Sequence, residues 1–244
     1  MAKQTYHHGD LRRALLQAAD EAITEHGVAA LSMRDLARRA GVSHAAPTHH
    51  FGDKAGLLTA FATEGFEQLA KALATSRLAS NSFLELGVTY VRFAVTRRAM
   101  FEVMFRPDLY HPDDPELLAA RAKSADALYA AVSDFPDSIL ATQPHSPAST
   151  AAPARGLRAA ESAVAAGATA GRPGGRSKPT TARPARPGTA ATAPPEVRSA
   201  GLAAWSMAHG FATLWLTGAF PDRDLDPTDM ARHLFTELNR DYAP

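Results

Sequence analysis

The stretch LSMRDLARRAGVSHAAPTHHFGDK, residues 31–54, decides the fold. Its first half predicts a short helix that runs to about Ala40. Ser32 and Asp35 stand at the spacing of a capping box, in which a hydroxyl and a carboxylate accept hydrogen bonds from the unpaired amides of a first helical turn. Gly41 follows, and it can take the left-handed conformation that a tight turn needs. The pattern predicts a turn between two short helices.

The second half of the stretch predicts the other short helix, over His44–His50. Ser43 can cap this helix, and Val42 can fill the angle between the two helices. Apolar residues at three- and four-residue steps from Leu11 to about His26 predict a preceding helix. Two short helices joined by a glycine turn and packed on a first helix form a helix-turn-helix unit, whose last helix fits the major groove of DNA.

Beyond this unit the apolar periodicity stays helical, and no alternating strand pattern occurs. Asp53 can cap a long fourth helix, from Lys54 to about Arg77. Further helices are predicted over residues 83–98, 100–106, 115–133, 197–220 and from 227, with cap positions at Ser82, Asp114 and Asp226. The sequence therefore predicts an all-α protein with an N-terminal three-helix helix-turn-helix domain over residues 1–55 and a C-terminal helical domain over 56–244.

Residues 134–196 interrupt this pattern with a low-complexity composition. Ten of the chain's 17 prolines lie there, among Ala, Thr, Gly and Arg, and large apolar residues are scarce. Such a composition buries too little apolar surface to offset the entropy lost on ordering. We predict a disordered insertion. A basic DNA-binding tail is the alternative, since seven Lys or Arg residues fall in this stretch.

The bulk composition excludes several classes of function. A net charge of +1 rules out blanket neutralisation of phosphates, so any nucleic-acid binding has to come from a local arrangement of groups. The absence of cysteine excludes disulfides, thiolate metal sites and thiol nucleophiles. No apolar run approaches the roughly 18 residues of a membrane span, and the first residues lack the apolar stretch of a signal peptide. We expect a cytoplasmic protein without a membrane partner.

The sequence predicts neither a metal site nor a catalytic site. Adjacent histidines occur at His7-His8 and His49-His50, but neighbours in a helix point to different faces, and no carboxylate or cysteine completes a site. We find no Gly-rich phosphate loop, serine elbow or paired acid and base, so we expect neither an enzyme nor a cofactor. A helical ligand-binding protein whose head no longer binds DNA is the remaining alternative.

Two stretches, YHHGDLRRALLQAADEAITEHG at residues 6–27 and LSMRDLARRAGVSHAAPTHHFGDKAGLLTAF at 31–61, resemble the N-terminal domain of TetR-family regulators. The resemblance implies a set of residues that contact double-stranded operator DNA. These are Arg34, Ser43, His44, Ala45, Thr48, His49 and Lys54. Pro47 departs from a regular helix, because it falls inside the predicted recognition helix and should remove about one hydrogen bond of its first turns.

The implied DNA contacts divide into two kinds. Arg34 and Lys54 stand at the N-terminal ends of helices, where exposed amides also face phosphates, and we expect phosphate contacts there. His44 and His49 stand on the outward face of the recognition helix, and we expect them at base edges. Thr48 occupies a position that is commonly tyrosine in the family, so its phosphate contact is expected to be shorter or missing.

The segment Trp205-Ser206-Met207-Ala208-His209-Gly210 is similar to a Trp-x-x-x-His-Gly signature in the C-terminal domain of one branch of the same family. This similarity implies a regulatory domain and a homodimer in which the last two helices of each protomer form a four-helix bundle. Candidate residues for an apolar or aromatic small-molecule effector are Phe83, Tyr90, Phe93, Met100, Met104, Trp205 and His209. Ordinary core packing is the alternative for these aromatics, and a bond to a backbone carbonyl is the alternative for His209.

The implied function is that of a ligand-responsive transcriptional regulator. As a repressor, it would hold two heads in successive major grooves of a palindromic operator. Because the fourth helix joins the head to the sensor, a tilt of this helix when the pocket fills would move the recognition helices out of register.

Deletion of residues 137–194 should leave dimerisation and operator binding nearly intact. Loop-closure entropy grows only logarithmically with length, so shortening a flexible connection changes the free energy of unfolding by about 1 kcal/mol or less. Size-exclusion chromatography and a gel shift would measure both properties, and limited proteolysis of the full chain should cut in this segment first. Loss of the dimer on deletion, or protease resistance of the segment, would show that it is structural.

Overall fold

A computed structural model describes residues 8–80, 82–134, 192–220 and 224–240. In these ranges the fold is all-helical, as predicted, with nine α-helices, two 3-10 turns and no strand. The helices are α1 His8–His26, α2 Met33–Arg39, α3 Ala46–Phe51, α4 Lys54–Ala79, α5 Phe83–Thr96, α6 Arg98–Met104, α7 Pro115–Asp134, α8 Pro195–Thr217 and α9 Pro227–Arg240. The 3-10 turns are Val28–Ala30 and Pro107–Leu109. None of the described helices is long and apolar enough to cross a membrane.

The predicted insertion at 134–196 lies outside the described residues except at its two ends. Asp134 is the last residue of α7. Helix α8 begins at Pro195, two residues earlier than the apolar pattern indicates. Proline suits this place because its fixed φ fits the first helical turn, where an amide hydrogen would have no partner inside the helix.

Aspartates cap three helices, as predicted. Asp53 accepts a hydrogen bond from the Gly56 amide at 2.7 Å and begins α4. Asp114 accepts from two amides at 3.0 Å at the start of α7. Asp226 accepts from two amides at 2.8 and 3.2 Å before α9. Each cap satisfies amides that the helix leaves unpaired, which stabilises a helix by about 1 kcal/mol.

The predicted serine caps are wrong. Ser32 and Ser82 occupy the N-cap positions of α2 and α5, but their side chains make no capping hydrogen bond. The acidic residues of these two patterns, Asp35 and Glu85, bind arginine side chains instead. Ser43 lies in the turn before α3, whose N-cap residue is Ala45, so it does not cap that helix either.

Helix α3 begins later than predicted, at Ala46 rather than His44. Pro47 is therefore its second residue, where the backbone amide has no partner inside the helix. The proline costs no helical hydrogen bond, contrary to expectation, and its ring is buried. Gly41, with φ +66°, makes the predicted left-handed turn between α2 and α3.

Two other helix ends differ from prediction. Helix α8 ends at Thr217 and not at Phe220, and its C-cap residue Gly218 has the left-handed φ of +78°. The amides of Gly218 and Ala219 donate to the carbonyls of Trp215 and Leu214 at 3.1 and 2.9 Å, a pattern that closes a helix C-terminus. Helix α6 begins and ends two residues earlier than predicted.

Helix α4 lies at the centre of the fold. It packs against α5, α6 and α7 on the sensor side and against α1 and α3 of the head. Leu57, Leu58 and Phe61 are almost completely buried near its start, and a continuous core extends from there to both ends of the chain's described part. The predicted domain boundary, between residues 55 and 56, falls within the first turn of this helix.

Two glycines of α8 give a matched pair of substitutions. A Cβ at Gly201 would lie 2.6 Å from the Tyr129 ring, whereas a Cβ at Gly210 would meet nothing within 4 Å. We expect Gly201→Ala to lower the free energy of unfolding by about 1–3 kcal/mol through overpacking. Gly210→Ala should raise it by up to about 1 kcal/mol through helix propensity. Urea unfolding would measure both, and effects of equal sign would contradict the close approach of α7 and α8.

Candidate functional site

The head presents six of the seven predicted DNA-contacting residues as exposed side chains. These are Arg34, Ser43, His44, Ala45, Thr48 and His49. Along α3 and its cap, Ala45, Thr48 and His49 are exposed while Pro47 is buried, so one face packs on the core and the other is open. An open face on a short helix is the feature that enters a major groove.

Lys54, the seventh predicted residue, is half-buried. Its Nζ donates a hydrogen bond to the carbonyl oxygen of Ala29 at 3.2 Å, which ties the start of α4 to the 3-10 turn after α1. This bond holds the ammonium group near the first turn of α4, where the helix leaves backbone amides unpaired. A cation at this place adds to the positive end of the helix dipole, which attracts phosphate.

An ion-pair network that the sequence reasoning missed fixes α2 on α1. Arg39 donates from Nε to Asp35 and from Nη2 to Glu25, both at 2.7 Å, and its side chain is only 18% exposed. These hydrogen bonds hold the pKa of both carboxyl groups below the usual range. The i, i+4 spacing of Asp35 and Arg39 was the sequence signal. The network links α2 to the C-terminal end of α1.

The second candidate site is a cavity of about 370 Å³ between α4, α5, α7 and α8, with Met104 of α6, Phe235 of α9 and residues after α6 also in its wall. Its volume falls within the roughly 300–1,000 Å³ of small-molecule sites. Helix α4 contributes Phe66, Leu69 and Leu73 to the wall. The wall is mainly apolar, so an apolar or aromatic molecule would gain by leaving water for it.

Five of the seven predicted effector residues line this cavity: Phe83, Tyr90, Met104, Trp205 and His209. Phe93 and Met100 do not line it. Both are 6% exposed and belong to the core around α5 and α6. Helical spacing identifies which residues face inward, but only the packing of several helices decides which inward residues border open space.

His209 and Tyr90 form the polar centre of the cavity wall. The Tyr90 hydroxyl lies 2.8 Å from His209 Nδ1, which joins α5 to α8, so the histidine binds a side chain and not a backbone carbonyl. The imidazole stacks on Trp205, with ring centroids 5.1 Å apart, and meets the edge of Phe105 at 4.5 Å. Burial lowers the pKa of His209. Burial also raises the pKa of Tyr90, against a smaller opposite effect of Trp205.

The sequence reasoning also missed the contribution of α7. Arg121 and Ser124 line the cavity on one side of this helix. The Arg121 guanidinium lies 5.8 Å from the centre of the Phe66 ring, within the range of a cation–π contact. The sequence signal for this wall was Arg121 itself, a cation that stands between Leu117 and Leu128 on the apolar side of the predicted helix.

An exposed helix-turn-helix head that shares one long helix with a cavity-containing helical domain defines a DNA-binding regulatory protein. The comparisons with known proteins identify the family. Residues 15–61 match the family described as bacterial regulatory proteins, tetR family, and residues 83–238 match the Tetracyclin repressor-like C-terminal domain. The chain belongs to the TetR family, which confirms the resemblance seen in its sequence.

Individual relatives support this assignment to different extents. The chain is 33% identical over 106 residues to the HTH-type transcriptional regulator BetI of Rhizobium meliloti (strain 1021), a match that spans 42% of this chain and 45% of that protein. A Rhodococcus sp. RHA1 protein of unknown function has 27% identity and a TM-score of 0.65, with 99% of this chain and 100% of that one covered. The TetR family regulator PfmR of Thermus thermophilus has 20% identity and a TM-score of 0.55, with 93% and 97% covered. The likeness to PfmR shows the fold alone.

The lowered pKa of His209 predicts a pH-dependent stability. The usual imidazole pKa is 6.5, so below it the unfolded chain takes up a proton that the folded protein resists. The free energy of unfolding should fall as the pH drops below that value, and His209→Gln should reduce this fall. Thermal melts at several pH values would measure it, with the exposed His233→Gln as the control. A wild-type pH dependence in His209→Gln would contradict the prediction.

Proposed function

We propose that this protein is a transcriptional repressor that binds a palindromic operator as a homodimer and leaves it when a small molecule fills the cavity. One observation carries the proposal. Helix α4 begins with Lys54 in the head and lines the cavity with Phe66, Leu69 and Leu73 further along. A ligand that contacts these residues therefore contacts the helix that positions the DNA-binding face, which makes coupling between the two sites direct.

The head supplies two kinds of DNA contact in this proposal. Arg34, exposed on the first turn of α2, and Lys54 would bind phosphates, which positions the protein without reading sequence. His49, exposed on α3, would reach base edges in the major groove. Thr48 lies on the same exposed face and is too short to replace the reach of a tyrosine.

A pair of exposed apolar rows on the last two helices supports the dimer. Leu214 is 48% exposed and Met207, two turns earlier on α8, is 37% exposed. Leu234 and Leu238, one turn apart on α9, are 38% and 43% exposed. Large apolar side chains in rows on adjacent helices are typical of an interface, and a second copy of the same two helices would cover them in a four-helix bundle.

The DNA proposal is tested by separating phosphate contacts from base contacts. Arg34→Ala should weaken binding to all sequences and lower the slope of log K against log salt by roughly one unit. His49→Ala should instead change the preference among operator variants, by about 1–3 kcal/mol at one base pair. Fluorescence anisotropy with an operator selected from bound genomic fragments would measure both.

The control for the DNA measurement is Arg198→Ala, which removes an exposed arginine from α8. It should leave the salt slope unchanged. A wild-type slope for Arg34→Ala would remove this residue from the interface. Absence of any selected fragment would favour the alternative of a ligand-binding protein whose head no longer recognises DNA.

Leu214→Glu should dissociate the dimer, because a carboxylate on each copy would face the apolar row of the other. Leu78→Glu is the matched control, since this leucine is 85% exposed on the last turn of α4, outside the proposed interface. Sedimentation velocity would give the oligomeric state of both variants. A Leu214→Glu protein that stays dimeric would place the interface elsewhere.

A further inference from the structure

The polar groups of the cavity wall differ in how fully their hydrogen bonds are used. The Tyr110 hydroxyl donates to the Met104 carbonyl oxygen at 2.8 Å, and the Ser124 hydroxyl donates to the Arg121 carbonyl oxygen at 2.9 Å. Both donors are therefore engaged within the protein. His209 is different, because its one hydrogen bond uses Nδ1 and leaves Nε2 without a partner among the described residues. Since the described residues contain no buried side-chain nitrogen or oxygen without a hydrogen bond, Nε2 retains some exposed surface, and His209 lines the cavity.

The hydrogen bond between Tyr90 and His209 determines which ring nitrogen of the imidazole carries the proton. A neutral tyrosine hydroxyl has one hydrogen to donate, and Tyr90 is buried with His209 Nδ1 as the one acceptor for it among the described residues. If Nδ1 carried a hydrogen, it would donate to the hydroxyl oxygen, and the hydroxyl hydrogen would be left without an acceptor among the described residues. Nδ1 therefore accepts, and the neutral ring carries its hydrogen on Nε2. Burial favours this neutral form, since it lowers the pKa of His209.

The charge of the wall adds a second constraint. Among the described residues that line the cavity, Arg121 is the one with a permanent charge, and no aspartate or glutamate lines it. A cationic ligand would leave water without an anionic partner and in the field of a guanidinium, which is unfavourable in an apolar cavity. An anionic group also pays to leave water, but the guanidinium attracts its charge, and a neutral polar group pays much less.

We infer that the effector is an apolar or aromatic molecule whose polar group is a hydrogen-bond acceptor, a carbonyl or a carboxylate, that accepts from Nε2 of His209. The aromatic rings around His209 would hold the body of the molecule, and the Nε2 hydrogen would orient it. This inference rests on the proposed function in one respect, that the cavity is the effector site. It adds the chemical class of the effector, and it makes His209 the residue that selects it.

Four probes that share one aromatic body test the inference: 2-naphthoate, methyl 2-naphthoate, 2-methylnaphthalene and 2-naphthylmethylamine. Binding can be followed on the Trp215→Phe variant, because the chain has two tryptophans and Trp205 lines the cavity. The acid and the ester should bind about tenfold more tightly than the hydrocarbon, since one net hydrogen bond contributes about that factor. The amine should bind least. If 2-naphthoate binds more tightly than its methyl ester, the effector's polar group is a carboxylate and not a neutral carbonyl.

His209→Phe in this background keeps an aromatic ring and removes the donor. It should abolish the advantage of the acid and ester over the hydrocarbon while the hydrocarbon still binds. Persistence of that advantage would overturn the inference. Tyr90→Phe gives a second test, because the imidazole then loses the group that fixes its tautomer. Nitrogen-15 NMR of His209 should show hydrogen on Nε2 in the parent protein and a mixed tautomer in Tyr90→Phe. Hydrogen on Nδ1 in the parent would also overturn the inference.

These measurements use the protein without DNA, so they are independent of operator binding. Equal affinity for all four probes, or no binding of any, would overturn the inferred effector class and leave the DNA-binding proposal to the salt and specificity measurements. Conversely, failure to find an operator would not alter the order of probe affinities. Circular dichroism of each variant would show that the fold is retained.

Discussion

The buried seam along α4 is the constraint on which the rest of the structure depends. Leu57, Leu58 and Phe61 at its start pack into the core with the head, and Leu69 and Leu73 further along pack with the sensor helices. Because one unbroken helix supplies both sets of contacts, the head cannot change its angle without disturbing the packing around the cavity. Protein interiors are close-packed and have low compressibility, so a displacement at one end of such a helix is transmitted to the other.

The sequence predicted the helices well because apolar periodicity reports burial directly, but it predicted their starts unevenly. Asp53, Asp114 and Asp226 cap as expected, since a carboxylate at the positive end of a helix gains from both hydrogen bonding and charge. Ser32 and Ser82 do not cap, and the acidic residues of their patterns form charge-assisted hydrogen bonds with arginines instead of reaching back to the cap amide. Arg39 stands four residues after Asp35 and is visible in a local pattern, whereas Arg232 comes from α9, which a local pattern does not show.

The two candidate sites differ in the same way, because local sequence predicts the DNA-binding face better than the cavity. The exposed face of α3 follows from a short motif, and local reasoning located it although the helix begins at Ala46. The cavity depends on the packing of several helices, so local reasoning found Tyr90 and His209 but also included Phe93, and it missed Arg121. Gly65 illustrates how packing, and not local sequence, shapes this wall. A Cβ at this position would lie 2.6 Å from Met104 Sδ, so α4 and α6 approach closely because Gly65 has no side chain.

The position of α6 gives the cavity a second physical route to the head. This short helix packs against both α1 and α4, and its last residue, Met104, lines the cavity. A molecule that displaces Met104 therefore acts on the two helices that support the recognition element at once. A ligand shifts a conformational equilibrium only by its difference in affinity for the two states. Contacts with Met104 and Phe66 can supply such a difference, because both side chains belong to helices that would move. The Tyr90–His209 pair instead joins α5 to α8, so a ligand held by this pair in the proposed site would be anchored on helices other than α4 and α6.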